Sequence, residues 1–274
     1  GKQIQDWIMV SRSAIQHSLM NTQHMHFRLS KLLVAGTALL LVLSMQAASV
    51  KGWLHWRGPH QNGTSDEKNL IEDIELGGKN HLWSFDMPGR GEAVIADGRV
   101  YAWGYEGTGP DLREYLTCLD EETGKVIWQH GFNDFLSDTV YSRYTVGSAT
   151  VDEETGNVYL MSTVGEMTCF NRNGKLLWQH SMMERFGMLT FPNGRRGAAV
   201  IDGDLVIHHC ITSYWGAQGP ARDRFFAFNK KSGDLVWSST PGTAPKDSSF
   251  SSPVLGYYNN KRVLYAGTGC GNLV

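Results

Sequence analysis

An all-β fold of four-stranded antiparallel units is what this sequence predicts, and three observations carry the prediction. A motif recurs: "CLDEETGKVIWQH" at Cys118 to His130 returns as "CFNRNGKLLWQH" at Cys169 to His180 and, with decay, as "AFNKKSGDLVWSS" at Ala227 to Ser239. Aligned on Trp83, Trp128, Trp178 and Trp237, the tryptophans lie 45, 50 and 59 residues apart, a spacing that marks a solenoid or propeller with variable insertions. Between them a hairpin landmark recurs: "AVIADGRVYAWG" from Ala93, "ATVDEETGNVYLMS" from Ala149, "AAVIDGDLVIHH" from Ala198 and "PVLGYYNNKRVLYAGT" from Pro253. With 31 glycines and 41% hydrophobic residues in 274, the chain can make many tight turns and still bury a core.

The chain starts with Gly1, and Met25 stands directly before a basic stretch, so residues 1–24 read as an upstream extension. Residues 25–49 read as a signal peptide. Arg28 and Lys31 precede the apolar run Leu32 to Leu43, and Ala47, Ala48 and Ser49 follow, with cleavage expected after Ala48 or Ser49. As a helix the run would span ~18 Å at ~1.5 Å per residue, short of the ~30 Å hydrocarbon layer. No transmembrane anchor is therefore expected after cleavage, and the location expected is periplasmic or secreted. Residues 50–79, with "WLHWRGPHQNGTS" at Trp53 to Ser65, are expected to pack Trp53 and Trp56 onto the β-structure, and residues 80–274 carry the repeats.

Within a unit, Asp97-Gly98 and Asp202-Gly203 predict two-residue hairpins, because such turns need φ > 0 and Gly and Asp tolerate it. Glu154 to Asn157 and Tyr257 to Lys261 predict longer turns. A third strand, "EYLTCLD", "GEMTCFN" or "RFFAFN", then leads into a turn at Asp120, Thr123 and Gly124, with Gly174 and Gly233 in the equivalent places. A fourth strand ends at Trp128, Trp178 or Trp237, each ring suited to the wedge between neighbouring sheets. Four short antiparallel strands per period make one propeller blade. Trp83, in "NHLWSF", has the look of an outer strand without a hairpin of its own, and the last hairpin stops at "AGTGCGNLV". The expectation is about three and a half blades of a longer ring.

The pattern Leu119-Asp120, Thr123-Gly124-Lys125 and Trp128, repeated at Phe170 to Trp178 and Phe228 to Trp237, resembles the PQQ-like, or quinoprotein-type, β-propeller repeat. That family includes quinone-dependent alcohol dehydrogenases and non-enzymatic, BamB-like assembly scaffolds of the outer membrane. The stretch from Trp53 to Ser65 resembles the opening of secreted planctomycete-type members. The resemblance implies a ring of about seven or eight blades and an exported binding or assembly scaffold with protein partners in the cell envelope. Its alternative implication is part of a PQQ-dependent oxidoreductase of the alcohol or sugar dehydrogenase type, with PQQ and calcium. Such enzymes carry an adjacent cysteine pair over the quinone and acidic and amide calcium ligands. Here no two cysteines are adjacent and there is no C-x-x-C-H haem site, so no cofactor is expected.

The 25 basic and 27 acidic residues are scattered and the net charge is −2, which leaves no electrostatic footprint for nucleic acid. Cys118 and Cys169 hold equivalent places in neighbouring sheets. Packed sheets lie ~10 Å apart and a disulfide needs Cα atoms within ~7 Å, so both are expected as small buried residues. His208 and His209 should point to opposite faces of a strand, a poor pair for one metal. Asn62-Gly63-Thr64 matches a glycosylation sequon. One place suits a ligand. The innermost strands open with small residues at Gly91, Gly147, Gly197 and Ser251. Around them Arg90, Glu92, Arg143, Tyr144, Arg195, Arg196 and Phe250 should gather at one mouth of a channel, a basic and aromatic rim for an acidic or polar ligand.

Overall fold

The computed structural model describes residues 49–133, 143–189, 197–212, 221–247 and 249–274. The expected extension and signal peptide, and Arg195 and Arg196, lie outside the described residues. Three four-stranded antiparallel sheets follow one another along the chain. The first is β1 (Val94–Ala96), β2 (Arg99–Glu106), β3 (Arg113–Asp120) and β4 (Val126–Asn133), paired in sequence order. The second is β5 (Thr150–Val151), β6 (Val158–Met161), β7 (Glu166–Phe170) and β8 (Leu176–Ser181). The third is β9 (Val200–Asp202), β10 (Leu205–Thr212), β11 (Arg222–Asn229) and β12 (Leu235–Ser239), and β13 (Val254–Tyr258) with β14 (Lys261–Tyr265) forms a fourth hairpin. These are propeller blades, three complete and one partial.

Blade two shows why its strands are so apolar. Along β6, Val158 and Leu160 enter a core shared with Val94, Tyr101 and Leu116 of blade one, while Tyr159 and Met161 enter a core shared with Val206, Phe226 and Phe228 of blade three. The two-residue period of a strand thus feeds both faces, and all four β6 residues are buried. The outer strands differ: Val126, Ile127, Leu176, Leu177, Leu235 and Val236 are exposed. On β4, β8 and β12 the tryptophan is the member of each apolar triplet turned inward.

Trp128 and Trp178 close onto the following blade. Trp128 lies opposite Cys118 and Trp178 opposite Cys169, and after each cysteine the register shifts by a β-bulge; Ala227 and Trp237 repeat this. The Trp128 ring lies 5.9 Å from Tyr101 of its own blade and 5.8 Å from Phe170 of the next. Trp178 repeats this with Tyr159 at 5.9 Å and Phe228 at 6.3 Å. The indole N–H of Trp128 donates to the Arg172 carbonyl at 2.9 Å and that of Trp178 to the Lys230 carbonyl at 3.2 Å. Both carbonyls belong to turns whose glycine makes room for the ring. A Cβ on Gly174 would stand 2.7 Å from Trp128, and one on Gly233 2.7 Å from Trp178.

Trp83 obeys the same rule one blade earlier. Its indole N–H donates to the Glu121 carbonyl at 2.8 Å, and a Cβ on Gly124 would meet its ring at 2.5 Å. The stretch around it is not in a regular strand, however, so the outer strand expected there is present only as its docking contact. In the Gly124 turn, Asp120 Oδ1 accepts from the Thr123 amide at 2.9 Å and the Thr123 hydroxyl at 2.6 Å, which holds its carboxyl below the usual range. Asp152, Thr155 and Gly156 rebuild this turn between β5 and β6.

Two turn expectations need correction. Leu205 pairs with Asp202, which puts the two-residue turn at Gly203-Asp204, one residue later than expected, with glycine at the first central position where φ is 58°. Tyr258 pairs with Lys261, so the last hairpin turns on Asn259-Asn260 alone, at φ 48° and 59°. Asparagine tolerates the left-handed region well enough to stand where Asp97-Gly98 stands in blade one.

Candidate functional site

The small residues that open the inner strands bring the blades into close contact. A Cβ on Gly91 would lie 1.9 Å from the Gly147 carbonyl oxygen, and one on Gly197 2.3 Å from Ser252 Oγ. Hydroxyl groups then tie blade to blade. Ser148 Oγ accepts from the Glu92 amide at 3.0 Å, Thr150 Oγ1 donates to the Ala199 carbonyl at 2.8 Å, and Ser252 Oγ donates to the Ala198 carbonyl at 3.1 Å.

Residues 50–61 run along these inner strands as a strap. The Lys51 and Trp53 carbonyls accept from the Asp97 and Ile95 amides on the free edge of β1, the Leu54 carbonyl accepts from Val151 of β5, and the Gln61 amide group pairs with both backbone groups of Ile201 on β9. One segment thereby satisfies inner-edge backbone groups of three blades that the sheets themselves leave open. A Cβ on Gly52 would meet the Ile95 oxygen at 2.2 Å, so the close approach to β1 depends on glycine. Leu54 and His55 are 5% and 1% exposed, so the strap is a core element and not a surface tail.

His55 is held neutral. Burial pushes its pKa down to about 4, with the Ala199 backbone opposing and the Arg57 charge adding to the shift. Its Nδ1 accepts from the Arg57 amide at 3.1 Å, which leaves the proton on Nε2.

Where the strap turns at Trp56, a cavity of about 210 Å³ remains, lined by Trp56, Arg90, Glu92, Phe250 and the Gly147 and Gly197 backbone. Arg90, Glu92 and Phe250 therefore converge as the inner-strand pattern suggests. Arg143 and Tyr144 do not line this cavity: Tyr144 is buried and sets its ring edge-on to Tyr105 at 5.5 Å. Trp56 was legible only as a packing residue, because nothing in "WLHW" tells where the segment turns. Glu92 carries a carboxyl raised above its usual range by partial desolvation, and among the described residues that carboxyl has no hydrogen-bond or ion-pair partner. The Arg57 guanidinium carbon lies 5.9 Å from the Trp56 ring centre.

Two buried polar clusters escaped the sequence reading. Glu114 of β3 is 0% exposed and accepts from the Thr145 amide at 3.1 Å, the Thr163 amide at 2.9 Å and the Thr163 hydroxyl, latching blade one to blade two. Lys230, on the turn that receives Trp178, sets its Nζ 3.0 Å from Asp152 and 2.7 Å from Glu154 of blade two. Burial alone would lower the Lys230 pKa; the two carboxylates outweigh it and raise it, and Glu154 falls to about 2 through its bonds with Lys230 and Lys231. His208 and His209 have their ring nitrogens committed separately. Those of His209 face Asp223 at 2.8 Å and the Ser251 carbonyl at 2.9 Å; His208 Nε2 faces the Gly197 carbonyl at 3.1 Å. Cys118 and Cys169 are buried thiols, not disulfide partners, and burial pushes Cys169 up to about 12.

Residues 112–274, more than half of the chain, match the family model described as outer membrane protein assembly factor BamB. The chain belongs to this PQQ-like repeat family. A solved europium-containing methanol dehydrogenase is similar at 16% identity and a TM-score of 0.40, over 60% of this chain and 27% of its own. This chain thus spans about a quarter of that dehydrogenase. BamB from Moraxella catarrhalis is similar at 9% identity and a TM-score of 0.30, over 69% of this chain and 75% of its own. No curated protein matches.

The described residues of the mouth do not supply the ligands that a quinone with calcium would need. A Ca²⁺ ion takes about six to eight oxygen ligands, while Glu92 is the only carboxylate on the cavity and no three His, Cys, Asp or Glu side chains gather as a metal site among the described residues. The cavity, about 210 Å³, is also below the roughly 300 Å³ at which pockets begin to enclose a drug-sized molecule.

Proposed function

We propose that this chain is a non-catalytic propeller scaffold of the cell envelope that engages partner polypeptides at the mouth beside Trp56. The strap carries this reading. By satisfying the inner edges of three blades it ties them together beside a shallow site with two aromatic rings and one carboxylate that has no partner among the described residues. Such a site offers contact area and orientation, the means of recognition. Membership in a family described by an outer membrane assembly factor supports the envelope setting and protein partners of this reading.

The test has two arms. A library of short peptides passed over the immobilised chain should be retained, and retention should fall with Phe250→Ala. The chain mixed with PQQ and Ca²⁺ should show neither dye reduction with alcohols or sugars nor a raised Tm. Quinone-dependent turnover, or peptide retention indifferent to Phe250→Ala, would overturn the reading.

A further inference from the structure

The cavity beside Trp56 holds one side chain, not a folded element. Its walls are unequal in what they can recognise. Arg90 has a partner of its own. Glu92 has none among the described residues, and it lines the same cavity as the Trp56 and Phe250 rings. A lone carboxylate on an apolar wall gains most from a cation that brings its own hydrogen-bond donors, because charge-assisted bonds are about twice as strong as neutral ones. The neighbouring ring already shows this preference, since the Arg57 guanidinium lies over Trp56. A ring face that accepts one guanidinium has the quadrupole to accept an ammonium on its other side. A lysine or arginine stem also supplies methylenes to cover apolar surface while its head reaches a charge.

We propose that the mouth takes one basic side chain, lysine or arginine, of a partner polypeptide, with its cation against the Glu92 carboxylate and its stem along Trp56. This rests on the scaffold reading and names the chemistry of the partner that the reading leaves open.

The experiment uses the whole chain and capped pentapeptides that differ only at the centre: lysine, arginine, norleucine or glutamate. Calorimetry should find lysine and arginine about ten-fold tighter than norleucine, the ratio of one charge-assisted contact, with glutamate weakest. Glu92→Gln should bring the lysine peptide to the norleucine level without changing norleucine, whereas Trp56→Ala should weaken both. Both variants sit at the cavity and not in the inter-blade cores, and far-ultraviolet circular dichroism and Tm check that they are folded. Norleucine equal to lysine, with Trp56→Ala weakening both, would overturn the cation preference and leave the scaffold reading standing. Glutamate binding tightest would overturn it in favour of an acidic partner. Binding of none of the four would overturn both the preference and the scaffold reading.

Discussion

The rim and the axis of these blades are held together by opposite devices. At the rim one contact is written three times: a tryptophan, Trp83, Trp128 or Trp178, reaches the next blade, gives its N–H to a turn carbonyl and lies on a turn glycine. At the axis a strap that belongs to no repeat bonds inner-edge backbone groups of three blades, through its own carbonyls and the Gln61 side chain. The difference teaches that a repeat protein can confine its repetition to nearest-neighbour interfaces. Whatever spans several units at once must come from outside the pattern.

The comparison breaks most sharply at Trp178, the most enclosed of the series at 9% exposure. Trp178→Ala should cost on the order of 3 to 5 kcal/mol in urea unfolding; a loss below about 1 kcal/mol would mean that the rim is not where adhesion between blades lies. Acid should find the axis instead. Because the folded pKa of His55, about 4, lies below the ordinary imidazole value of 6.5, its contribution is complete above pH 6.5 and is lost as pH falls toward 4, a total of roughly 3 kcal/mol. Comparing unfolding at pH 7 and pH 4.5 for the wild type and His55→Gln tests this: the variant should lose less on acidification, and equal losses would remove His55 as the cause.

Glycines sharpen the contrast further. Gly174 and Gly98 both have φ near 80°, but an added Cβ meets Trp128 at 2.7 Å in the first case and nothing within 4 Å in the second. Gly174→Ala should therefore cost about 1 to 3 kcal/mol more than Gly98→Ala by thermal melts, the excess being the overpacked ring. Equal costs would reduce the glycine to a turn former. The smallest effect is expected at Gln61, whose side chain mimics a strand against Ile201 with two bonds of 3.0 Å. Gln61→Ala should cost about 1 kcal/mol and speed amide exchange at Ile201 while leaving β3 and β7 unchanged; slow exchange at Ile201 in the variant would show that the strap does not guard that edge.

The rim was legible because self-similarity is a property of sequence: Trp128, Gly174 and their copies announce themselves by recurring. The two-residue hairpins were legible to within one residue, while the last hairpin turns more tightly than expected. "DGD" contains two possible two-residue turns, and only pairing of Leu205 with Asp202 selects Gly203-Asp204. The axis was not legible, because Lys51, Trp53 and Leu54 act through carbonyls that every residue owns. Glu114 stayed hidden for another reason: in "REYLTCLD" it sits near two other polar residues, and its Thr145 and Thr163 donors lie 31 and 49 residues away. At the mouth, position before a small inner-strand residue located Arg90 and Phe250 but not the direction of Tyr144, which turns back to Tyr105. Nearness along the chain gives a neighbourhood; packing decides which way a ring faces.

The indole contact has an arrow. Trp83, Trp128 and Trp178 reach carbonyls 38, 44 and 52 residues further on, never backwards. A chain made from its N-terminus therefore exposes each tryptophan before its receptor exists, and the emerging blade then quenches the ring waiting above it. Assembly becomes a ratchet with a stride of roughly one blade, in which each new piece buries the last one's most adhesive side chain. For a protein whose edges would otherwise seek strangers, that order of synthesis is a form of protection built into the direction of a single hydrogen bond.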